Sequence, residues 1–231
     1  MRLVLTHGAM HGGWCWTYVL KELAALGVSA IAPDLPGHAD RADESATLDG
    51  YRDALLDVLE PNDVLVGHSL GGSFMSLAAD AAPEKVCQLI YVASILPEQG
   101  RSLAEVMPFV GDVKEFQLTE DSYRLTDVDA ARSVFYNDCT PEQVNWAYEQ
   151  VRPQQLQPLV TPINLTRLWE TDIPRDYILC LNDRTGVLTV VEHQLSTIGP
   201  TRIHPVWSSH FPLISRPKQL ARQLVAIAAR G

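Results

Sequence analysis

Six short apolar runs, rich in β-branched and aliphatic residues, recur along the chain at 3–6, 28–32, 63–67, 86–93, 177–181 and 201–206. None alternates strictly between apolar and polar, which suits strands covered on both faces. Between them lie longer stretches with helical spacing. Residues 17–26 run up to Gly27, 48–59 stop before Pro61, 70–82 follow a strand directly, and a last helix opens at Ser215 and Pro217 and runs to 229. Strands separated by crossover helices predict an α/β class with about six mainly parallel strands flanked by helices.

The alternation breaks between Pro97 and Ile173. There, 130–136 and 141–151 read as helices while Pro153, Pro158 and Pro162 punctuate. The expected organisation is a core of 1–96 and 174–231 with a helical cap, 97–173, inserted between the fourth and fifth strands. No internal repeat or low-complexity tract interrupts it.

Composition narrows the function. At 231 residues and 46% hydrophobic content the chain can bury one sizeable core. Its 18 basic against 28 acidic residues leave a formal charge of -10, and no Lys/Arg run forms a phosphate-tracking stripe, so nucleic acid is not the expected partner. Cys15, Cys87, Cys139 and Cys180 are widely spaced, without C-x-x-C or a Cys/His cluster, so no metal, cofactor or disulfide framework is expected. A cytoplasmic protein is the expectation: the first apolar run is too short for a secretory leader, and nothing approaches the roughly 18 apolar residues of a membrane span. The assembly state stays open, a homodimer included.

Chemistry concentrates where predicted strands end. Gly67-His68-Ser69-Leu70-Gly71 fits G-x-S-x-G and lies after a strand and before a helix, the context in which that pattern makes a sharp turn and lifts the serine Oγ above a sheet. Ser69 is therefore the candidate nucleophile. One oxyanion donor is the N–H of the following residue, Leu70. The other comes from the loop after the first strand, where Gly8 lets the backbone turn inward and Ala9 N–H is the candidate. His7 reads as fixing the shape of that loop.

Seven histidines compete for the role of base. His210 follows the last strand by a short loop and precedes the final helix, where it can reach a serine at the carboxyl edge of the sheet. His68 adjoins the serine, but neighbours on a strand end point to opposite faces, so it reads as packing. His38 sits in a Pro-Gly-His loop bordering the site, and His204 and His193 fall within a strand and a helix.

For the acid, the order Ser, Asp or Glu, His leaves several carboxylates. Asp183 follows the fifth strand at its carboxyl end. Asp176 starts that strand seven residues earlier, roughly 23 Å away at about 3.3 Å per residue. Glu98, just after the fourth strand, is the rival.

With these residues placed, the chain resembles the α/β-hydrolase superfamily along its length, and more narrowly its compact methylesterase and hydroxynitrile lyase branch. The resemblance rests on His7-Gly-Ala-Met-His-Gly-Gly-Trp14-Cys-Trp16, on Asp34-Leu-Pro-Gly-His38, on the serine turn and on Asn182-Asp183-Arg184. It implies the α/β-hydrolase fold, Ser69, Asp183 and His210 as triad, and Ala9 and Leu70 as oxyanion donors. Lyases of that branch typically carry Thr at the position of Gly8, Cys at that of Leu70 and Lys after the base, where this chain has Phe211. The resemblance therefore points to an esterase acting on a small carboxylic ester.

Two other functions compete: a hydroxynitrile lyase or C–C bond cleaving enzyme using the same Ser/His pair, and a non-catalytic small-molecule receptor. Met107, Phe109, Phe135, Tyr136, Trp146 and Trp169 would give the cap an apolar wall, although aromatics at helical spacing are more often core. Among them Trp146, with Gly8 and Phe211 from the core, is the expected substrate contact.

Overall fold

The structure, a computed structural model, describes residues 2–107, 114–197, 199 and 201–230. Strands and helices alternate through β1 (Arg2–Thr6), α1 (Thr17–Ala25), β2 (Ser29–Ile31), α2 (Leu48–Leu56), β3 (Asp63–His68), α3 (Gly71–Ala81) and β4 (Val86–Val92). The next block holds β5 (Arg101–Ser102), α4 (Leu103–Val106), β6 (Phe116–Leu118), β7 (Ser122–Leu125), α5 (Val128–Val134), α6 (Pro141–Tyr148), β8 (Gln154–Gln155), α7 (Gln157–Val160) and β9 (Pro162–Ile163). Alternation resumes with β10 (Arg175–Cys180), α8 (Val187–Thr197), β11 (Arg202–Val206), α9 (Pro212–Ser215) and α10 (Pro217–Ala228).

The main sheet has six strands in the order β11-β10-β4-β3-β1-β2, every adjacent pair parallel. Each residue of β3 is buried, as an apolar run without alternation requires of a central strand covered on both faces. Strand order reverses between β1 and β3: the chain goes from β1 to β2 on one side and returns to β3 on the other. A crevice opens at the carboxyl ends of two such strands. Thr6 is in register with Gly67, so the loops leaving β1 and β3 emerge side by side. Cys180 is in register with Val206, which brings the loops after β10 and β11 together in the same way.

Local signals set the helix ends. Thr47 caps α2 by accepting from Gly50 N–H, and Thr140 and Gln143 form a reciprocal capping box at α6 with Pro141 in its first turn. The last helix, α10, opens at Pro217 as expected, and the short α9 precedes it and ends at Ser215, because Pro217 can open a helix but not continue one.

The 97–173 block departs from a purely helical reading. Besides its helices it contains an antiparallel pair, β5 with β9, and a three-stranded antiparallel sheet, β6-β7-β8. In β7 the buried Tyr123 and Leu125 flank the exposed Arg124, a period of two confined to a four-residue strand. The block is also stitched to the loop after β1. Met10, itself at a left-handed φ of 63°, donates its N–H to Gln154 Oε1 at 3.2 Å and accepts from Arg152 N–H at 3.0 Å. Among the described residues no helix is long and apolar enough to cross a membrane.

Candidate active site

Ser69 occupies the turn between β3 and α3 at φ 54°, a left-handed conformation that costs a non-glycine residue of order 1 kcal/mol and persists only when its surroundings impose it. They do so by hydrogen bonds on both sides of its peptide. Its N–H donates to Val92 O at 3.0 Å, and its carbonyl accepts from Ser94 Oγ at 2.6 Å and from the amides of Gly72 and Ile95. Close packing of this turn on the β1 loop depends on Gly71, where a Cβ would lie 2.5 Å from His7 O. Ser69 Oγ has no hydrogen-bond partner among the described residues, and Ser69 is only half-buried.

His210, on the loop after β11, places Nδ1 2.7 Å from Asp183 Oδ2, on the loop after β10. A carboxylate only accepts, so Nδ1 carries the proton and Nε2 of the neutral ring is left with a lone pair. The other carboxylate oxygen, Oδ1, accepts from Thr185 N–H at 2.8 Å and from Thr185 Oγ1–H at 2.7 Å. Burial pushes the Asp183 pKa up, but the charge of His210 and the hydrogen bonds from His210 and Thr185 outweigh it, and the carboxyl sits below its ordinary range. The rival Glu98 is instead ion-paired with Arg101 at 2.6 Å.

His68 is fully buried, with its ring against those of His210 and Phe211. Its Nε2–H donates to the His210 carbonyl at 2.8 Å, so it braces the loop that carries His210. The amides of Ala9 and Leu70, at the ends of the two adjacent loops, donate to no acceptor among the described residues. His7 is buried beneath them, accepting from Leu35 N–H at 3.1 Å through Nε2 and donating from Nδ1 to Gly8 O at 2.9 Å. Burial pulls its pKa down to about 4, against its hydrogen bond to Gly8, and the ring stays neutral as a brace for the loop.

Ser69, Ala9, Leu70 and His210 border one cavity. Its walls are mostly apolar: Met10, Ile95 and Phe211 from the core, and Met107, Phe116 and Phe135 from the 97–173 block. Phe211 is fully buried, packed against the rings of His11, His68 and Tyr136. Gly8 also lines the cavity, and a Cβ there would lie 2.8 Å from Ser69 Cβ.

Other expected contacts are placed elsewhere. Trp146 is outside the cavity lining, packed between Trp14 and Tyr18 at ring separations of 5.5 and 4.9 Å, because its face of α6 turns toward the start of α1. Tyr136 lies behind the wall with its hydroxyl on His11, Trp169 stacks on the Arg175 guanidinium, and Phe109 lies outside the described residues. His38 is buried against His7 and hydrogen-bonded to Tyr51 rather than bordering the cavity.

Several cavity residues escaped the sequence reading, His11, Tyr123 and Thr185 among them. His11 donates from Nδ1 to Ala9 O at 2.7 Å and accepts at Nε2 from the Tyr136 hydroxyl; burial lowers its pKa to about 3. Nothing in the sequence ties it to a tyrosine 125 residues away. Thr185 had a local signal: a threonine two residues after an aspartate is the pattern of a side-chain turn.

Comparison with known proteins extends these observations. Residues 3–223 match the alpha/beta hydrolase family. Methylesterase 7 of Arabidopsis thaliana is 30% identical, over 98% of this chain and 96% of its own length. Norfluorocurarine synthase 2 of Strychnos nux-vomica is also 30% identical, over 98% and 95%. Among solved structures, a pyrethroid hydrolase from Sphingobium faniae JZ-2 superposes with a TM-score of 0.87 at 28% identity, covering 99% of this chain and 97% of that one.

Proposed function

The chain belongs to the alpha/beta hydrolase family, and from that premise we propose that it hydrolyses small carboxylic esters through an acyl-enzyme on Ser69. Relatives named methylesterase and pyrethroid hydrolase support a carboxylesterase-type hydrolase. The observation that carries the finer reading is the 2.7 Å Asp183–His210 hydrogen bond beside a cavity that also presents an unbonded serine hydroxyl and two unbonded amides.

In this reading Ser69 Oγ attacks the ester carbonyl while His210 Nε2 takes its proton. The carbonyl electron pair moves onto oxygen, where the Ala9 and Leu70 amides meet the charge. Collapse of the intermediate breaks the bond to the alkoxy oxygen, which leaves as the alcohol with the proton from His210. Water, deprotonated in turn by His210, then cleaves the acyl-enzyme and returns the proton to Ser69. Asp183, ionised and fixed by Thr185, holds His210 in the required tautomer.

Residues 97–173 act as the inserted cap over a core of 1–96 and 174–231, supplying half of the apolar wall. The net charge of -10 argues against nucleic acid as a partner, and four free cysteines suit the cytoplasm. One finding favours a second reading, proton transfer by the same serine and histidine without an acyl-enzyme: a relative as similar as the methylesterase is named a synthase.

The test is Ser69→Ala with an aryl acetate and an organophosphonate probe. Ester hydrolysis is lost, labelling of the wild type maps to Ser69 alone, and the variant keeps the wild-type circular dichroism. Undiminished turnover by the variant, or labelling elsewhere, removes Ser69 from the mechanism. Cleavage of a cyanohydrin by the wild type with no hydrolysis of the aryl acetate would favour the second reading.

A further inference from the structure

Five tyrosines are buried: Tyr51, Tyr91, Tyr123, Tyr136 and Tyr177. Four of them satisfy their hydroxyls inside the protein. Tyr51 meets His38 and Gln154, Tyr91 meets Ser76, Tyr136 meets His11, and Tyr177 donates to Ser94 O. The fifth, Tyr123, is 7% exposed, lines the active-site cavity, and has no hydrogen-bond partner for its hydroxyl among the described residues. The residue is buried, but its hydroxyl keeps access to the cavity, where it stands open to a ligand.

The neighbours of Tyr123 are already committed. Its partner across the β7–β8 ladder is Gln154, whose side chain serves Met10 N–H and the Tyr51 hydroxyl. On its other side the ring meets Phe116, which offers no acceptor. Around it the described lining of the cavity contains no Lys, Arg, Asp or Glu. Burial raises the Tyr123 pKa, so the phenol keeps its proton and remains a donor.

We propose that Tyr123 is a specificity residue, and that the enzyme is built for neutral esters carrying one hydrogen-bond acceptor, such as a ketone or ether oxygen, on an otherwise apolar group. The Tyr123 hydroxyl donates to that acceptor once the ester carbonyl is seated at Ser69. An ionised substituent would be stripped of water against apolar walls with no counter-charge, so acidic esters are rejected. The proposal rests on the esterase reading and refines it.

The test compares methyl acetylbenzoates with the near-isosteric methyl isopropenylbenzoates, each as ortho, meta and para isomers, in the wild type and Tyr123→Phe. For each isomer the acetyl to isopropenyl ratio of kcat/KM is measured in both proteins, so that the intrinsic reactivity of the esters cancels. For at least one isomer the wild-type ratio exceeds that of Tyr123→Phe by about threefold to tenfold, the range of one neutral hydrogen bond. Equal ratios in the two proteins for all three isomers overturn the proposal while leaving the esterase reading standing.

Should the wild type hydrolyse none of these esters, the same pairs are measured by calorimetry for binding to Ser69→Ala and to Ser69→Ala/Tyr123→Phe. An acetyl preference that disappears with the phenol then upholds the recognition role although the esterase reading has failed. Its absence sinks both.

Discussion

Replacing Gly8 by alanine tests how closely the loop after β1 is fitted to the proposed nucleophile. The backbone at Gly8 lies outside the left-handed region, so alanine meets no conformational penalty and its effect is steric. The added Cβ would stand 2.8 Å from Ser69 Cβ, 3.0 Å from His68 O and 3.3 Å from Ser69 Oγ. Reaching even the 3.4 Å edge of ordinary contact moves one loop against the other by about 0.6 Å. Ser69 cannot swing aside freely, since both ends of its peptide are hydrogen-bonded and its φ is already strained. A misplacement of about 1 Å at a reacting group costs about a hundredfold. We therefore expect kcat for an aryl acetate to fall by about tenfold to a hundredfold, with the melting temperature little changed. Phosphonate labelling of Ser69 slows in step, because it needs the same geometry. A variant whose kcat stays within twofold of wild type would show slack between the loops and refute the argument.

Asp183→Asn lowers kcat by about 10⁴, the cost of favouring the wrong histidine tautomer, whereas Glu98→Gln, which alters only an ion pair with Arg101, stays within a few-fold; the reverse outcome in steady-state assays moves the acid to Glu98. Stability falls in mild acid. His7 and His11 titrate at about 4 and about 3 when folded against 6.5 unfolded, so below pH 6.5 the unfolded chain takes up the protons. Each contribution is complete above that value and shrinks by about 2 kcal/mol by pH 5, and a urea midpoint that does not move between pH 7 and 5 contradicts it. Finally, with Phe211 after the base and no cation lining the described cavity, the wild type releases no cyanide from mandelonitrile above the buffer rate. Release at or above its rate of ester hydrolysis would overturn the esterase reading.

The parts of the fold legible in the sequence were those in which local chemistry and tertiary context agree. Central strands such as β3 are apolar at nearly every position because both faces are covered, and residues at their carboxyl ends collect at one edge of a parallel sheet. That rule suffices to bring Ser69, Asp183 and His210 forward as candidates and to separate Asp183 from Asp176. The 97–173 block resisted because its strands are two to four residues long, too short for a period to register. Trp146 misled because an aromatic on an amphipathic helix does not reveal which neighbour its face meets; here it is the start of α1. His11 stayed hidden because its role depends on Tyr136, far away in sequence.

The two hydrogen bonds that tie Met10 to Arg152 and Gln154 bear on how such enzymes diversify. A cap held only at its hinges could be exchanged between relatives as a module, changing the substrate and sparing the chemistry. Here the 97–173 block, our proposed cap, grips the residue next to Ala9, so an insertion or deletion near Gln154 would reach the amide we propose to face the developing charge. New specificities would then be selected in pairs, each cap variant with a compensating change in the loop after β1. Grafting a foreign cap onto this core should fail at catalysis before it fails at folding, unless residues 8–11 travel with it.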